Sequence, residues 1–408
     1  MIHKAMKKDF EEFSEDLHPK TESVLVLQGG GSLGAYECGV YKCLYKNQIK
    51  FDVLGGSSIG AVNASIICAA QNADKEVPRL LEDFWLSLAE DISQPDPFFL
   101  SAPLISSDKI MAIWSSMYSS FFGNPKAFLP KWFMPDSPDY FVPHKWTYLY
   151  DVTPLKRTLK QYIDFDQLKK INTASHLRKI NSKTSGEYKN CRLIITSTDI
   201  QKGEPVIFDS AHMDIDADDV MACIGYPFYG IRWSEKNGRH LWDGSLLTNT
   251  PMLEVIRRSP QADKKFYIVD VFPRQQKELP SNMIEVWHRA RDIIFMDKTD
   301  KNIEMLKVNE RYIDLLIKMY EIIKSEKAAF DTDILARIKE IEPEYNVLVK
   351  RIGRSIKDVI RVGRRETLHY LLEDADFSRY RVKKLIAEGE KDAEHVLGMK
   401  YEDDISSA

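Results

Sequence analysis

The sequence has few cysteines, no strong excess of charge of one sign, and no long run of large apolar residues. Residues 53–73 carry no charged side chain, but they are rich in Gly, Ser, Ala and Asn rather than Leu and Phe. That composition favours a buried strand-to-helix turn over a membrane span. Residues 1–20 are polar and highly charged and lack the apolar core of a secretory signal. We therefore expect a cytoplasmic protein without a signal peptide or transmembrane helix, unless a specialised export system recognises it.

The five cysteines are odd in number and lack the spacing of a metal site. Cys38, Cys43 and Cys68 fall in apolar helical stretches, which indicates buried thiols in a reducing compartment. The formal net charge of −4 gives no reason to expect a nucleic-acid partner. The chain of 408 residues is long enough for one large domain with an extension.

The pentapeptide GSSIG at residues 56–60 follows a short apolar run and precedes a run of small and apolar residues. The pattern predicts a strand, a sharp turn and a helix, with Ser58 at the turn. In a nucleophile elbow the residues two before and two after the serine must lack bulk, and Gly56 and Gly60 meet that requirement. The pentapeptide alone does not identify a nucleophile, because a chain of this length can contain it by chance.

Three consecutive glycines, Gly29, Gly30 and Gly31, follow another apolar run and precede a helical pattern. Backbone N–H groups at such a position form a nest for a negatively charged oxygen. With Gly34 the loop also satisfies the dinucleotide pattern G-x-G-x-x-G. That alternative requires an acidic residue at the end of the second strand, whereas Asp52 precedes this strand. We therefore favour an anion nest.

Asp243 and Gly244 stand at a predicted strand end and are followed by SLLTNTP. An Asp-Gly pair is usually only a turn. The Asp-Gly pair becomes informative because the same chain has a glycine nest after its first predicted strand and a nucleophile elbow after its second. His240, three residues earlier, is more typical of a surface or turn position than of a third catalytic group.

This constellation resembles the patatin-like phospholipase family through LVLQGGGSLGAYECGVYKCL, FDVLGGSSIGAVNA and LWDGSLLTNTP. The resemblance implies an α/β protein: a three-layer α/β/α patatin-type hydrolase with a mainly parallel central sheet. We expect a polar leader at 1–22, a catalytic domain at 23–275 with a capping insertion at 75–190, and a mainly helical C-terminal extension at 276–408. The segments YDVTPL and DADFS resemble a bacterial branch with its own C-terminal extension.

The resemblance also implies a serine lipid acyl hydrolase that cleaves fatty-acyl esters of phospholipids or lysophospholipids. Ser58 would be the nucleophile and Asp243 the general base. The nest residues named above would form the oxyanion hole, and the family motifs would be supported by Gly34, Gly56, Gly60 and Gly244. No metal or other cofactor is expected, because both protons can pass through the carboxylate.

Two positions depart from the family pattern. Leu33 stands where the family usually has Arg or Lys, which removes a helper for anionic substrates and favours less charged esters. Ser245 replaces a Gly or Ala after the Asp-Gly pair and adds only a hydroxyl. Alternatives are a short-chain esterase or acyltransferase with the same dyad, or a lipid-binding scaffold whose dyad is idle. The sequence does not indicate the oligomeric state.

Two segments raise the question of membrane contact. Residues 98–148 hold 13 aromatic residues and predict either a packed hydrophobic cluster or an apolar lid over an acyl channel. Residues 345–384 hold 11 Lys and Arg against 5 Asp and Glu, which predicts a solvated face or a patch for anionic membranes. The lid and the patch would both support peripheral membrane association.

The remaining patterns predict individual elements. They indicate strands at 191–197, 204–210, 266–272, 358–362 and 367–372, and helices at 155–163, 165–171, 217–223 and 380–397. The strands at 191–197 and 204–210 are expected to form a hairpin.

Overall fold

The computed structural model describes residues 21–90, 107–135, 138–169, 190–259, 262–276, 279–296, 299–326, 330–351, 355–365 and 372–406. Its strands are β1 (Thr21–Leu27), β2 (Val53–Ser57), β3 (Leu129–Pro130), β4 (Tyr150–Asp151), β5 (Arg192–Asp199), β6 (Glu204–Asp209), β7 (Ser234–Lys236), β8 (Arg239–Asp243), β9 (Asp263–Asp270) and β10 (Ile356–Gly363). Its α-helices are α1 (Gly34–Lys46), α2 (Ile59–Asn72), α3 (Val77–Leu88), α4 (Ser107–Phe122), α5 (Thr153–Tyr162), α6 (Ala217–Ala222), α7 (Met252–Arg258), α8 (Met283–Phe295), α9 (Thr299–Ser325), α10 (Thr332–Arg351) and α11 (Arg379–Ser406).

The described strands form a central sheet in the order β10-β9-β1-β2-β5-β8-β7, with β6 paired to β5. Strand β2 runs parallel to both β1 and β5, whereas β5 is antiparallel to β6 and β8. The result is a three-layer α/β/α fold with a mixed, mainly parallel sheet, which confirms the predicted fold class. Strand β2 is buried along its whole length, as expected of a strand covered on both faces.

Most elements predicted from periodicity are present, with shifted ends. The hairpin of β5 and β6, helices α5 and α6, and strands β9 and β10 confirm their predictions. The helix predicted at 165–171 is a single 3₁₀ turn, Phe165–Leu168, in its described part. Most of the strand predicted at 367–372 lies outside the described residues. All five cysteines are buried and free, as three of them were predicted to be.

The chain divides into two compact units. The main unit consists of Val24–Pro251, Tyr267–Asp297 and Ile360–Ala408. The small unit is the remainder and includes α9 and α10, where the rings of Tyr320 and Tyr345 stack 4.1 Å apart. The boundary predicted between residues 275 and 276 therefore does not coincide with a division between units. Much of the predicted C-terminal extension belongs to the main unit.

Helix α11 packs closely on α1 within the main unit. A Cβ on Gly39 would collide with the carbonyl oxygen of Ile386, and one on Gly389 with that of Tyr36. The Tyr36 hydroxyl also donates a 3.0 Å hydrogen bond to Asp392. The C-terminal helix thus rests on the helix that follows the glycine loop. In the described part of the chain, no helix is long and apolar enough to cross a bilayer.

Candidate active site

Ser58 occupies a strained turn between β2 and α2. Its backbone has φ 53° and ψ −128°, a positive-φ conformation that L-residues rarely adopt outside functional turns. A Cβ on Gly56 would collide with the carbonyl group of Gly60, and one on Gly60 with the carbonyl oxygen of Leu27. The turn is therefore tight enough to require both glycines, and this is the geometry of a nucleophile elbow.

Asp243 ends β8 beside this turn, although it is 185 residues away in sequence. Strand β8 pairs with β5 so that Asp243 lies opposite Ser197. The hydroxyl of Ser58 donates to Asp243 Oδ2 at 2.6 Å, and the backbone N–H of Ser245 donates to Asp243 Oδ1 at 2.8 Å. A Cβ on Gly244 would collide with Thr196, so the turn after Asp243 requires a glycine. Both carboxylate oxygens of Asp243 are thereby fixed in direction.

Burial changes the acidity of this carboxyl group. Asp243 is fully buried, and desolvation raises its pKa to about 6 against the opposing hydrogen bonds from Ser58 and Ser245. Among the described residues, no histidine hydrogen-bonds to this carboxylate. His240 lies earlier on β8, with its ring near that of Trp233. The arrangement can accept a proton from a serine hydroxyl near neutral pH without an imidazole.

The glycine loop lies directly against Ser58. A Cβ on Gly29 would collide with Ser58 Cβ and with the side chains of Ser245 and Asn249. The N–H of Gly29 donates to Asn249 Oδ1 at 2.9 Å. A side-chain acceptor therefore occupies the Gly29 N–H in this structure, and the role of Gly29 in the oxyanion hole stays a prediction.

Gly30 and Gly31 remain available to an oxyanion. Among the described residues, no acceptor is found for either N–H group, and both glycines line the cavity beside Ser58. Gly31 has φ +58°, which turns the loop into the 3₁₀ turn that precedes α1. Gly34, the first residue of α1, packs so closely on Ile59 and the Trp85 ring that a Cβ would not fit.

Glu37, on α1, fixes the start of the glycine loop through hydrogen bonds. This fully buried carboxyl group accepts from the Gln28 N–H at 2.7 Å and from Asn63 Nδ2 at 2.8 Å, and Trp85 Nε1 donates to Asn63 Oδ1 at 3.1 Å. Burial raises the pKa of Glu37 to about 8, although both hydrogen bonds oppose the shift. Sequence reasoning missed Glu37 and Asn249. For Glu37 the available signal was an acidic residue inside an apolar helical pattern, whereas no sequence signal marks Asn249.

A cavity of about 380 Å³ opens above Ser58 within the main unit. Its walls are mostly apolar, and Asp374 is the one charged residue among the described residues that line it. The predicted insertion contributes Ser120, Ala127, Phe128, Leu149, Tyr150, Val152 and Leu155. Residues beyond 275 contribute Trp287, Phe295, Leu372, Asp374, Ala375 and Phe377. A cavity with this lining suits a hydrocarbon chain.

The aromatic segment is partly packed and partly exposed. Phe122 and Phe133 stack with ring centroids 6.3 Å apart, and Phe121 lies 5.8 Å from Trp132, yet all three phenylalanines remain exposed. Phe128, by contrast, lines the cavity. Residues 98–106 of the segment lie outside the described part. Movement of this segment as a lid stays a prediction.

Comparison with known proteins gives two curated relatives over short stretches. The chain is 39% identical over 59 residues to Triacylglycerol lipase 5 of Saccharomyces cerevisiae, which is 14% of this chain and 8% of the lipase. It is 32% identical over 92 residues to the uncharacterized protein L620 of Acanthamoeba polyphaga mimivirus, covering 21% of this chain and 24% of that protein. The chain thus matches less than a quarter of the length of either relative.

Among solved structures, the chain is similar to VipD from Legionella pneumophila. The TM-score is 0.36 at 13% identity, over 93% of this chain and 67% of VipD. It is also similar to the type III effector ExoU from Pseudomonas aeruginosa, with a TM-score of 0.30 at 12% identity, over 94% of this chain and 53% of ExoU.

The family model described as patatin-like phospholipase matches residues 25–256. That match covers more than half of the chain and contains the elbow, the glycine loop and Asp243. The chain belongs to the patatin-like phospholipase family.

Proposed function

We propose that this protein is a serine lipid acyl hydrolase in which Ser58 is the nucleophile and Asp243 is the general base. The observation that carries the proposal is the 2.6 Å hydrogen bond from Ser58 Oγ to Asp243 Oδ2 beside an apolar cavity. A serine hydroxyl is a weak nucleophile and needs a base within hydrogen-bond reach. With its pKa raised to about 6, Asp243 is a stronger base than an exposed aspartate.

Acylation begins when Ser58 Oγ attacks the carbonyl carbon of a fatty-acyl ester and its proton passes to Asp243 Oδ2. The carbonyl oxygen takes up the electron pair and becomes an oxyanion, which the N–H groups of Gly30 and Gly31 stabilise. One such donor is typically worth about 10²–10³ in rate. When the intermediate collapses, the C–O bond to the leaving group breaks, and the leaving alcohol takes the proton from Asp243.

Deacylation repeats the sequence with water. Asp243 accepts a proton from a water molecule as the water oxygen bonds to the acyl carbon. The second oxyanion collapses, the bond to Ser58 Oγ breaks, and the proton on Asp243 returns to the serine. The fatty acid is released, and both residues regain their starting protonation states.

The cavity supports an acyl ester of a lipid as the substrate. Its volume of about 380 Å³ and its apolar walls accept a hydrocarbon chain next to Ser58. Phospholipids or lysophospholipids are the first substrate class, and their head groups would remain outside the cavity.

A second candidate is hydrolysis of neutral acylglycerols with the same dyad. In the part of the chain that the structure describes, no residue that lines the cavity is a cation, and Asp374 among them is an anion. Leu33, fully buried, also supplies no charge to the loop. An anionic phosphate next to the reacting ester therefore gains no ion pair from these residues.

The mouth of the cavity supports peripheral contact with a bilayer. Leu149, Phe228 and Trp287 line the cavity and are also 43%, 81% and 44% exposed. Ile294, 74% exposed, is seven residues after Trp287 on α8 and so lies on the same face of that helix. Exposed apolar side chains around an apolar cavity can enter the lipid boundary from which an acyl chain would be drawn.

The test is to incubate wild-type protein and Ser58→Ala with a total lipid extract and to identify the lipids that disappear by mass spectrometry. We expect wild type to convert one class of acyl ester to free fatty acid and Ser58→Ala to convert none. Loss of phospholipids would select the first substrate class, and loss of acylglycerols the second. Equal conversion by both proteins would refute the proposal.

A further inference from the structure

The DADFS segment at residues 374–378 has no role in the proposed mechanism, yet it touches the glycine loop. The hydroxyl of Ser32 donates to the carbonyl oxygen of Glu373 at 3.1 Å. The carbonyl oxygen of Asp374 lies where a Cβ on Gly31 would stand. Two consecutive backbone carbonyls of a C-terminal segment therefore press on the loop that carries the two available N–H groups.

Three arginines from separate elements converge on the Glu373 side chain. Arg381 of α11 and Arg364, which follows β10, both donate to Glu373 Oε1, the former at 2.7 Å. Arg291 of α8 lies 3.5 Å from Glu373 Oε2. All four side chains are buried, so none of these pairs is screened by solvent.

The electrostatics of this cluster favour the ionised form of Glu373. Burial alone would raise the pKa of Glu373, but Arg364, Arg381 and Arg291 outweigh it and hold the pKa well below its usual range. The carboxylate therefore stays charged throughout the physiological range. Arg364 also donates from Nε to the carbonyl oxygen of Val271 at 2.8 Å, which ties the cluster to the chain just after β9.

We propose that Glu373 is a positioning residue that holds segment 373–374 against Ser32 and Gly31 and so aims the N–H groups of Gly30 and Gly31 at the developing oxyanion. This inference rests on the proposed function. The geometry supports positioning, because the side chain that the arginines hold and the two backbone carbonyls that contact the loop belong to two adjacent residues, Glu373 and Asp374. The glycine loop itself contributes no charged side chain that could fix its orientation.

The sharpest test removes the loop contact with the smallest change, Ser32→Ala, alongside Glu373→Gln. Ser65→Ala is the matched control, because Ser65 is also fully buried and its hydroxyl donates to a main-chain carbonyl, that of Ala61, at 2.7 Å. The readouts are kcat and KM on a soluble p-nitrophenyl acyl ester. Binding of an acyl trifluoromethyl ketone, which forms an oxyanion with the nucleophile, is compared with binding of a non-hydrolysable ether analogue.

We expect Ser32→Ala and Glu373→Gln to lower kcat at least about tenfold with KM unchanged, since a misaimed donor acts only on the oxyanion. The affinity of both variants for the trifluoromethyl ketone should fall by the same factor, while their affinity for the ether analogue should not change. In the Ser65→Ala control, kcat and both affinities should stay at the wild-type values. A lower melting temperature without any change in kcat or in affinity for the ketone would overturn the inference, because the cluster would then have a purely structural role. Equal losses in Ser65→Ala would overturn it as well. Full turnover in Ser58→Ala would instead refute the proposed function.

Discussion

Asp243 combines full burial with hydrogen bonds to both of its carboxylate oxygens. The two effects oppose each other, because burial disfavours the charged form and the donors favour it. Burial is the larger effect, and the resulting pKa of about 6 lies just below neutral pH. The residue is therefore ionised, and able to accept a proton, under neutral conditions.

The pH dependence of turnover follows from this pKa. Below about pH 6 the carboxyl group of Asp243 becomes protonated and cannot accept the Ser58 proton. We expect kcat/KM on a soluble acyl ester to fall about tenfold per pH unit on the acid side and to level off above pH 7. A pH–rate profile measures this directly. A midpoint near pH 4, the value for an ordinary aspartate, would mean that burial does not tune the base.

The stability of the fold should also depend on pH through Asp243, but it should fall as the pH rises, whereas turnover should increase. A carboxyl group with a raised pKa binds its proton more tightly in the folded state, so its favourable contribution to folding is lost as the pH rises through about 6. We therefore expect Asp243→Asn to raise the free energy of unfolding at pH 7 by at most about 3 kcal/mol while abolishing turnover. Denaturation of both proteins at pH 4 and pH 7 tests this. At pH 4 the difference should nearly vanish, and a variant that is less stable at pH 7 would contradict the expectation.

At the scale of elements, the glycine loop shows why spacing alone could not assign every donor. The three glycines after β1 were recognisable, but the partner of Gly29 is Asn249, which is 220 residues away. No local pattern marks that contact, because it depends on how the turn after β8 packs beside the turn after β1. The sequence could therefore predict the loop but not which of its N–H groups stays available.

The surface prediction for the charge run at residues 345–384 is confirmed only in part, because Lys357, Arg365 and Lys383 are exposed but other cations of the run are not. Arg364 and Arg381 belong to this run, yet both are buried against Glu373. Periodicity and composition cannot distinguish a solvated cation from one that neutralises a buried carboxylate of another element. Strong local signals, such as the elbow at Ser58 and the β5–β6 hairpin, were predictable because neighbouring residues alone determine them.

Gly31 offers a test of the loop with a matched control elsewhere in the chain. Gly31 and Gly203 have φ +58° and +66°, but only at Gly31 would a Cβ meet a neighbour, the carbonyl oxygen of Asp374. We expect Gly203→Ala to cost about 1 kcal/mol of stability from the backbone alone. Gly31→Ala should cost roughly 1–3 kcal/mol more from the collision and should lower kcat at least about tenfold. Equal effects in the two variants, measured by denaturation and ester hydrolysis, would argue against the close contact.

At the scale of the whole molecule, the main unit draws its cavity walls from distant parts of the chain. Phe128 comes from the predicted insertion, Phe272 from the chain after β9, and Phe377 from the C-terminal segment. The three motif segments that carried the family resemblance end near residue 255, so Phe272 and Phe377 both lie beyond them. The cavity above Ser58 therefore depends on residues well outside the matched family region.

The cavity mouth gives the prediction for membrane contact. Ile294 is exposed on the same face of α8 as Trp287, which lines the cavity, whereas Tyr45, 44% exposed, lies near the far end of α1 from the glycine loop. Removing an apolar side chain that enters lipid should weaken the binding of Ile294→Ser to phosphatidylcholine vesicles about tenfold. Vesicle co-sedimentation measures this, and hydrolysis of a soluble ester should remain unchanged. If Tyr45→Ser loses as much binding as Ile294→Ser, the mouth is not the contact surface.

The assignment of Ser58 and Asp243 as nucleophile and base is tested most directly by the rate at which a fluorophosphonate probe labels the protein, with the modified residue identified by peptide mass spectrometry. We expect wild type to be labelled at Ser58 alone and Ser58→Ala not to be labelled. Asp243→Asn, still folded, should be labelled at least about 10³-fold more slowly, since its serine lacks a base. Labelling of Ser58 at the wild-type rate in Asp243→Asn, or labelling at another residue, would contradict the dyad.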